Sequence, residues 1–218
     1  MESRMFKVYS PSDGKVALKV IPGHFVTSHS HITHYMDMTT LLARQNEAEG
    51  AARILAGRYM HNTMVDTIIC LNGCEVIGAY LAQELSKSGI RCMNAHETIY
   101  ITSPEEDING QMIFRDNSRF MVEGKNILIL STSITTGVTL DKAITSIKYY
   151  GGRVQGIAAV FSFVTKVMVE EGRFIEVNSI FSGKDLNGYA SYDAKKCPMC
   201  AVKQKIDAIV NGYGYSKF

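Results

Sequence analysis

The chain alternates short aliphatic runs with stretches whose apolar residues recur every three or four positions. Over residues 41–60, Leu41, Leu42, Ala48, Ala52, Leu55, Ala56 and Tyr59 fall on one stripe at helical spacing. VDTIIC (65–70) is a β-rich run suited to a buried strand. Val76, Ile77, Tyr80, Leu81 and Leu85 then trace one helix face, with Gly89 as its stop. IRCMNAHETIYIT (90–102) supplies further strand material. SPEEDINGQ (103–111), with its proline, three consecutive acids and Asn-Gly, reads as an exposed turn or loop. ILIL (127–130) is the next strand. After a loop of small residues, Leu140, Ala143, Ile144 and Ile147 form a helix face that ends at Gly151-Gly152, and VQGIAAVFSF is one more strand. Strand, helix, strand in repetition predicts an α/β fold, a central parallel sheet flanked by helices on both faces.

A length of 218 residues suits a single domain over 1–218, with a polar, Gly- and Tyr-rich tail at 184–218 packed on it. Apolar residues make up 46% of the chain and charged ones 20%, enough for a substantial core. Lys plus Arg is 23 and Asp plus Glu is 21, and a balance of +2 argues against nucleic acid or an anionic membrane as partner. The segment at Met1 has no long apolar stretch, and no run approaches membrane-spanning length. Five cysteines, an odd number with one Cys-x-x-Cys, fit a reducing compartment; a cytoplasmic protein is the expectation.

In a parallel α/β sheet, ligands bind at the carboxyl ends of strands, where loops feed helix N-termini. STSITTGVT (131–139) occupies such a place. First-turn amides, the helix dipole and the hydroxyls of Thr135, Thr136 and Thr139 suit a phosphate monoester, and Gly137 lets the backbone approach it. Spacing alone leaves a second reading open, a tight strand-to-helix turn capped by a threonine. The Gly-x-x-x-x-Gly-Lys pattern of a P-loop is absent.

Residues 127–139 resemble the fingerprint of type I phosphoribosyltransferases: four aliphatic residues, two acids, two variable positions, then Thr-Thr-Gly-x-Thr. GHFVTSHSHITHYMD (23–37) and SIFSGKDLNGYASYDAKKCPMC (179–200) are similar to the N-terminal segment and the C-terminal Tyr-x-x-x-x-Cys-Pro-x-Cys region of Thermus-type orotate phosphoribosyltransferases, in the same order. The resemblance implies that family's fold, with a small hood made by 15–40 and 184–218. It implies transfer of phosphoribose from phosphoribosyl diphosphate to a nitrogenous base, within pyrimidine nucleotide biosynthesis if the base is orotate. It also implies Mg²⁺ carried with the diphosphate, and a homodimer. Carried onto this chain, Thr135, Thr136, Gly137, Val138 and Thr139 would cradle the 5′-phosphate. Ser131 and Thr132 hold the ribose positions, Leu71, Asn72 and Gly73 the pyrophosphate loop, and His31 or His34 in the hood would touch the base.

Three departures bear on chemistry. Ser131 and Thr132 replace the two acids that hold ribose hydroxyls. A charge-assisted bond contributes about 1.5–3 kcal/mol against about 1 for a neutral one, so this exchange costs roughly tenfold or more in affinity. Where orotate enzymes carry a cationic mobile loop, this chain has Glu105, Glu106 and Asp107, which leaves Arg115 as the candidate catalytic cation. Asn72 with Glu75 has the spacing of a capping box, which would occupy amides wanted by pyrophosphate. Together these raise an alternative function, a catalytically degenerate member that senses a nucleotide or sugar monophosphate.

Cys197-Pro-Met-Cys200 has metal-ligand spacing, but a structural zinc needs four ligands and no second such pair exists. Cys70, Cys74, Cys92 or a partner subunit are the candidates to complete it, and packed free thiols are the reading adopted. His24, His29, His31 and His34 crowd one segment and are assigned to solvent or local hydrogen bonds, with no metal. Tyr213 and Tyr215 are expected to pack the tail.

Overall fold

The structure is a computed structural model that describes all residues except 88–91, 96, 212–213 and 218. The first segment forms β1 (Phe6–Tyr9), β2 (Ala17–Val26), β3 (His31–Asp37), α1 (Thr39–Ala43) and α2 (Gln45–Ala56). The middle of the chain forms β4 (Thr67–Leu71), α3 (Glu75–Leu85), β5 (Tyr100–Thr102), β6 (Glu105–Glu106) and β7 (Met112–Ile113). There follow β8 (Asn126–Ile134), α4 (Val138–Tyr149), β9 (Arg153–Ser162), β10 (Lys166–Glu170) and β11 (Arg173–Ser182). The last segment holds β12 (Ser191–Tyr192), the single turn α5 (Pro198–Ala201), β13 (Ala208–Asn211) and β14 (Gly214–Ser216).

The larger sheet runs β10-β11-β9-β8-β4-β5, parallel except for β10 at one edge. Its side chains alternate between two cores, except that Val160 and Phe161 of β9, and Ile180 and Phe181 of β11, join the same one. Ile68, Cys70, Leu128, Leu130, Ala158 and Val160 face α2 and α3, while Ile69, Leu71, Ile127, Ile129, Ile157 and Ala159 face α4. Helices on both faces are why these strands read as unbroken apolar runs. From β4 the chain moves through α3 to β5 on one side, and from β8 through α4 to β9 on the other. The strand order therefore reverses between β4 and β8, the place where open α/β sheets open a ligand crevice.

The second sheet, β12-β3-β2-β13-β14 with β1 added to β2, interleaves the two ends of the chain. Its Leu18, Val20, Ile21 and Phe25 join the same core as α2 and α3, so this hood is packed on one face of the larger sheet. Tyr215 stacks edge-on against Tyr35 at 5.4 Å, holding the tail to β3.

Three details differ from the sequence expectations. The stripe over 41–60 is two helices, because Arg44 is extended (ψ 122°) between them. Ser131, Thr132, Ser133 and Ile134 continue β8, since Ser133 and Ile134 still pair with Phe161 and Ser162 of β9. Among the described residues of 90–102, only the three of β5 are strand. Gly89, Ile90, Arg91, His96 and Tyr213 lie outside the described residues.

Gly78 lets α3 sit close on the sheet: a Cβ there would lie 2.6 Å from Cys70 Sγ, 3.4 Å from Ile101 and 3.7 Å from Leu130. In an open helix, Gly→Ala stabilises by about 0.5–1 kcal/mol. Here overpacking reverses the sign, and Gly78→Ala should destabilise by about 1–3 kcal/mol, read as a lowered urea midpoint at unchanged slope.

Candidate functional site

β8 outruns β4: Leu71, the last residue of β4, pairs with Ser131, and β8 continues to Ile134. The turn that follows is short. Gly137 has φ 85°, a left-handed conformation that glycine adopts without strain, and α4 begins at Val138 with no side chain capping it. The first-turn amides of α4 thus keep their donors for an outside anion. His29, Ser133, Thr135, Thr136 and Thr139 surround a recess of about 40 Å³ at this helix end. The capped-turn reading is not what forms.

Ser131 and Thr132 sit just below, 2% and 1% exposed. Ser131 Oγ donates to Ser133 O at 3.2 Å and borders the recess, whereas Thr132 Oγ1 has no partner among the described residues. Neither position offers a carboxylate to a sugar.

Across the crevice, the turn after β4 places Asn72 (φ 61°) and Gly73 (φ 79°) in consecutive left-handed conformations. The capping box expected from Asn72 and Glu75 is not formed: Cys74 precedes α3, no side chain caps it, and Glu75 is its first residue. Glu75 instead accepts a hydrogen bond from Ser103 Oγ at 2.6 Å. Two adjacent positive φ values carry Asn72 out of capping position and leave this helix end uncapped as well. Cys74 fastens the turn, its thiol donating to Leu71 O and Leu130 O at 3.2 Å each, and burial pushes that thiol well above its ordinary pKa.

The acidic loop is a hairpin of β6 and β7 turned at Asn109-Gly110. Its acids are not loose. Glu105 takes two hydrogen bonds from Arg115, at 2.9 and 2.6 Å, and Glu106 pairs with Lys142 of α4 at 3.3 Å. Asp107 accepts from the amides of Asn109 and Gln111 within the turn. The Arg115 guanidinium holds the Glu105 carboxyl below its ordinary value, and Glu105 raises Arg115 in return. A lowered carboxyl pKa means this pair is present above the unfolded carboxylate value, near 4.3, and is lost only as pH falls through the folded one. At neutral pH, then, Arg115 is engaged by its own hairpin and does not line the cleft.

The hood closes the site from above. The turn between β2 and β3 is fixed by Thr27 Oγ1, which donates to Ser30 O and accepts from the amides of His29 and Ser30. Thr27, Ser28 and His29 face Asn72, Thr135 and Thr139 across a cleft of about 430 Å³, with Lys142 on its wall. His29 and Lys142 both line it, and neither was assigned to a binding site from the sequence. Nothing in their spacing marks them; only the sheet order brings them here. His31 and His34, expected to touch a base, are elsewhere. His31 is turned into the hood against His24, and His34 packs toward Tyr189 with Nδ1 2.9 Å from Thr33 Oγ1; burial keeps its imidazole below the ordinary value.

Cys197 and Cys200 are free thiols in contact with each other, but histidines as well as sulfur surround them. Their sulfurs meet His24 and His31, with all four ligand-type atoms within 4.8 Å of one another. Cys70 and Cys74 lie in and beside β4, and Cys92 bonds Leu85 O, so none completes that set.

Residues 37–185 match the family model described as a phosphoribosyl transferase domain. The chain belongs to the phosphoribosyltransferase family. A curated orotate phosphoribosyltransferase of Caldicellulosiruptor saccharolyticus is 26% identical over 182 residues, 83% of this chain and 84% of that one. Among solved structures, the Mycobacterium tuberculosis orotate phosphoribosyltransferase aligns with TM-score 0.51 at 16% identity, over 78% of this chain and 93% of its own. The Leishmania donovani UMP synthase gives TM-score 0.54 at 17% identity over 76% of this chain; the chain spans only about a third (34%) of that protein. The adenine phosphoribosyltransferase of the same organism gives 0.52 at 14% identity, over 76% of this chain and 78% of that one. The shared fold therefore does not choose the base.

Were phosphoribosyl diphosphate the substrate, Mg²⁺ would have to arrive as part of it. That ion takes oxygen ligands, commonly one or two carboxylates beside the phosphates. The strand that would offer them carries the buried hydroxyls of Ser131 and Thr132, and Glu106 in the cleft is bound to Lys142. Because the Glu106–Lys142 pair is exposed, breaking it is cheap. Glu106→Gln should free Lys142 and tighten inorganic phosphate binding by up to about fivefold, with a steeper salt dependence, in a calorimetric titration. Thr132→Val removes an orphaned hydroxyl at equal shape and should stabilise the fold by about 1 kcal/mol in urea denaturation.

Proposed function

We propose that the protein binds phosphoribosyl diphosphate with its 5′-phosphate on the residues 135–139 turn and transfers phosphoribose to a nitrogenous base, orotate first among candidates. The observation that carries this reading is the single cleft into which three parts of the chain open. They are the phosphate turn after β8, Asn72 of the uncapped turn after β4, and the hood tip at His29. Two of the three departures in the sequence weaken on this geometry. The α3 end carries no side-chain cap that would compete with pyrophosphate, and two of the three hairpin acids, Glu105 and Glu106, are paired with Arg115 and Lys142.

In the reaction, the bond from the anomeric carbon to the diphosphate oxygen breaks as a base nitrogen bonds that carbon. Positive charge grows on the sugar ring and negative charge on the leaving diphosphate, which departs with its Mg²⁺. The chain contributes position and fixed dipoles: the α4 amides with Thr135, Thr136 and Thr139 anchor the phosphate end, and Leu71, Asn72 and Gly73 face the diphosphate. Ser131, which borders the recess, is the hydroxyl we assign to the ribose. Arg115 serves the diphosphate only after leaving Glu105. A homodimer is proposed on family grounds, as is a cytoplasmic setting; no described helix is long and apolar enough to cross a membrane.

One observation favours a second reading, binding without turnover. Both ribose positions are buried hydroxyls, and the Ser131 hydroxyl already donates to Ser133 O. The two readings separate in one pair of measurements. Turnover of phosphoribosyl diphosphate with Mg²⁺ over a panel of bases, orotate and adenine included, is expected, together with tighter binding of the diphosphate than of ribose 5-phosphate. Silence across the panel with equal binding of the two would replace the first reading by the second. Glu105→Gln, which releases Arg115, should raise turnover by up to about fivefold, the limit set by an exposed pair; Arg115→Ala should lower it.

A further inference from the structure

The hood contains a set of side chains that the phosphate cleft does not use. His24 of β2, His31 of β3, and Cys197 and Cys200 at α5 converge from positions up to 176 residues apart. His24 Nε2 is 3.0 Å from His31 Nδ1, 3.6 Å from Cys197 Sγ and 3.7 Å from Cys200 Sγ, and Cys200 Sγ is 3.3 Å from His31 Nδ1. A tetrahedral zinc with Zn–N near 2.05 Å and Zn–S near 2.3 Å separates its ligands by about 3.3 Å for two nitrogens and about 3.5 Å for nitrogen and sulfur. The observed spacings match those edges to within a few tenths of an ångström.

The chemistry around the set agrees. His24 Nδ1 lies 3.0 Å from Gln204 O, an acceptor that claims the ring proton and leaves the Nε2 lone pair facing the other three groups. His24, His31 and Cys197 are 0%, 8% and 3% exposed, so water does not satisfy them. Two thiolates and two imidazoles select a soft divalent ion over Mg²⁺. Four protein ligands also leave no open position, which marks a structural rather than a catalytic metal.

We propose that His24, His31, Cys197 and Cys200 bind one zinc ion that pins the C-terminal segment to the β2–β3 hairpin. Its two histidines stand on the two legs of that hairpin, and the tip between them is the Thr27–Ser28–His29 wall of the cleft. The ion thereby sets the height of His29 above the phosphate turn. This last consequence rests on the proposed phosphate site, but zinc binding itself does not.

The test is metal content of the full chain, purified without chelator and supplied with zinc. About one zinc per chain is expected, falling to near none in Cys200→Ser and in His31→Ala and remaining in Cys92→Ser, which serves as control. Should the variants fold poorly, cobalt(II) added to the metal-stripped wild type supplies the second readout. Intense visible bands of a tetrahedral ion with a thiolate charge-transfer band are expected. A chain that takes up neither ion with its thiols reduced, or one isolated with a Cys197–Cys200 disulfide that rebinds no metal on reduction, overturns the proposal. If zinc is bound but its removal leaves ribose 5-phosphate affinity unchanged, the coupling to the cleft is wrong and the metal site stands.

Discussion

The site depends on the parallel pairing of β8 between β4 and β9. That register ends β4 opposite Ser131 while β8 runs on to Ile134 against β9. The result is a step in the sheet, with the turn into α4 standing higher than the turn into α3. One-residue slippage would exchange the faces of β8 and bury Ile129 where Leu130 belongs. Because each face packs on a different helix layer, the register is strongly specified, and the relative height of the two anion-type turns is specified with it.

Electrostatics in the cleft follows from how the acidic hairpin is anchored. Glu105 and Glu106 are turned onto Arg115 and Lys142, while Asp107 is held by the turn amides, so two of the three acids are compensated by a cation. Such exposed pairs are individually weak, about 0–1 kcal/mol, and they exchange partners readily when an anionic ligand competes for the cation. The hood works in the opposite sense. Its tip is held by five hydrogen bonds around Thr27 and Ser30, and it presents His29 at a fixed position.

Much of the fold was legible because the parallel strands are unbroken apolar runs and the helix faces keep a regular period. The turn from β8 into α4 was legible for a related reason: small hydroxyl residues and a glycine separate an aliphatic strand from a regular helix face. What could not be read was long-range. The reading of Asn72 as a cap followed from correct spacing but took no account of two successive left-handed residues. His29 and Lys142 reach the cleft only through sheet order. The Cys-x-x-Cys pair was matched against the other cysteines, yet its partners are histidines on a hairpin near the opposite end of the chain, joined to it through β13 beside β2. Ligand spacing within one segment is visible in a sequence; a set divided between chain ends is not.

The central claim is that the uncapped amides at the start of α4 converge on one phosphate. The most direct measurement is an amide-resolved NMR titration with ribose 5-phosphate. The account predicts that the amides of Gly137, Val138 and Thr139 shift together and saturate at a single affinity, with His29 following across the cleft. Saturable binding that leaves those three amides unmoved would contradict it.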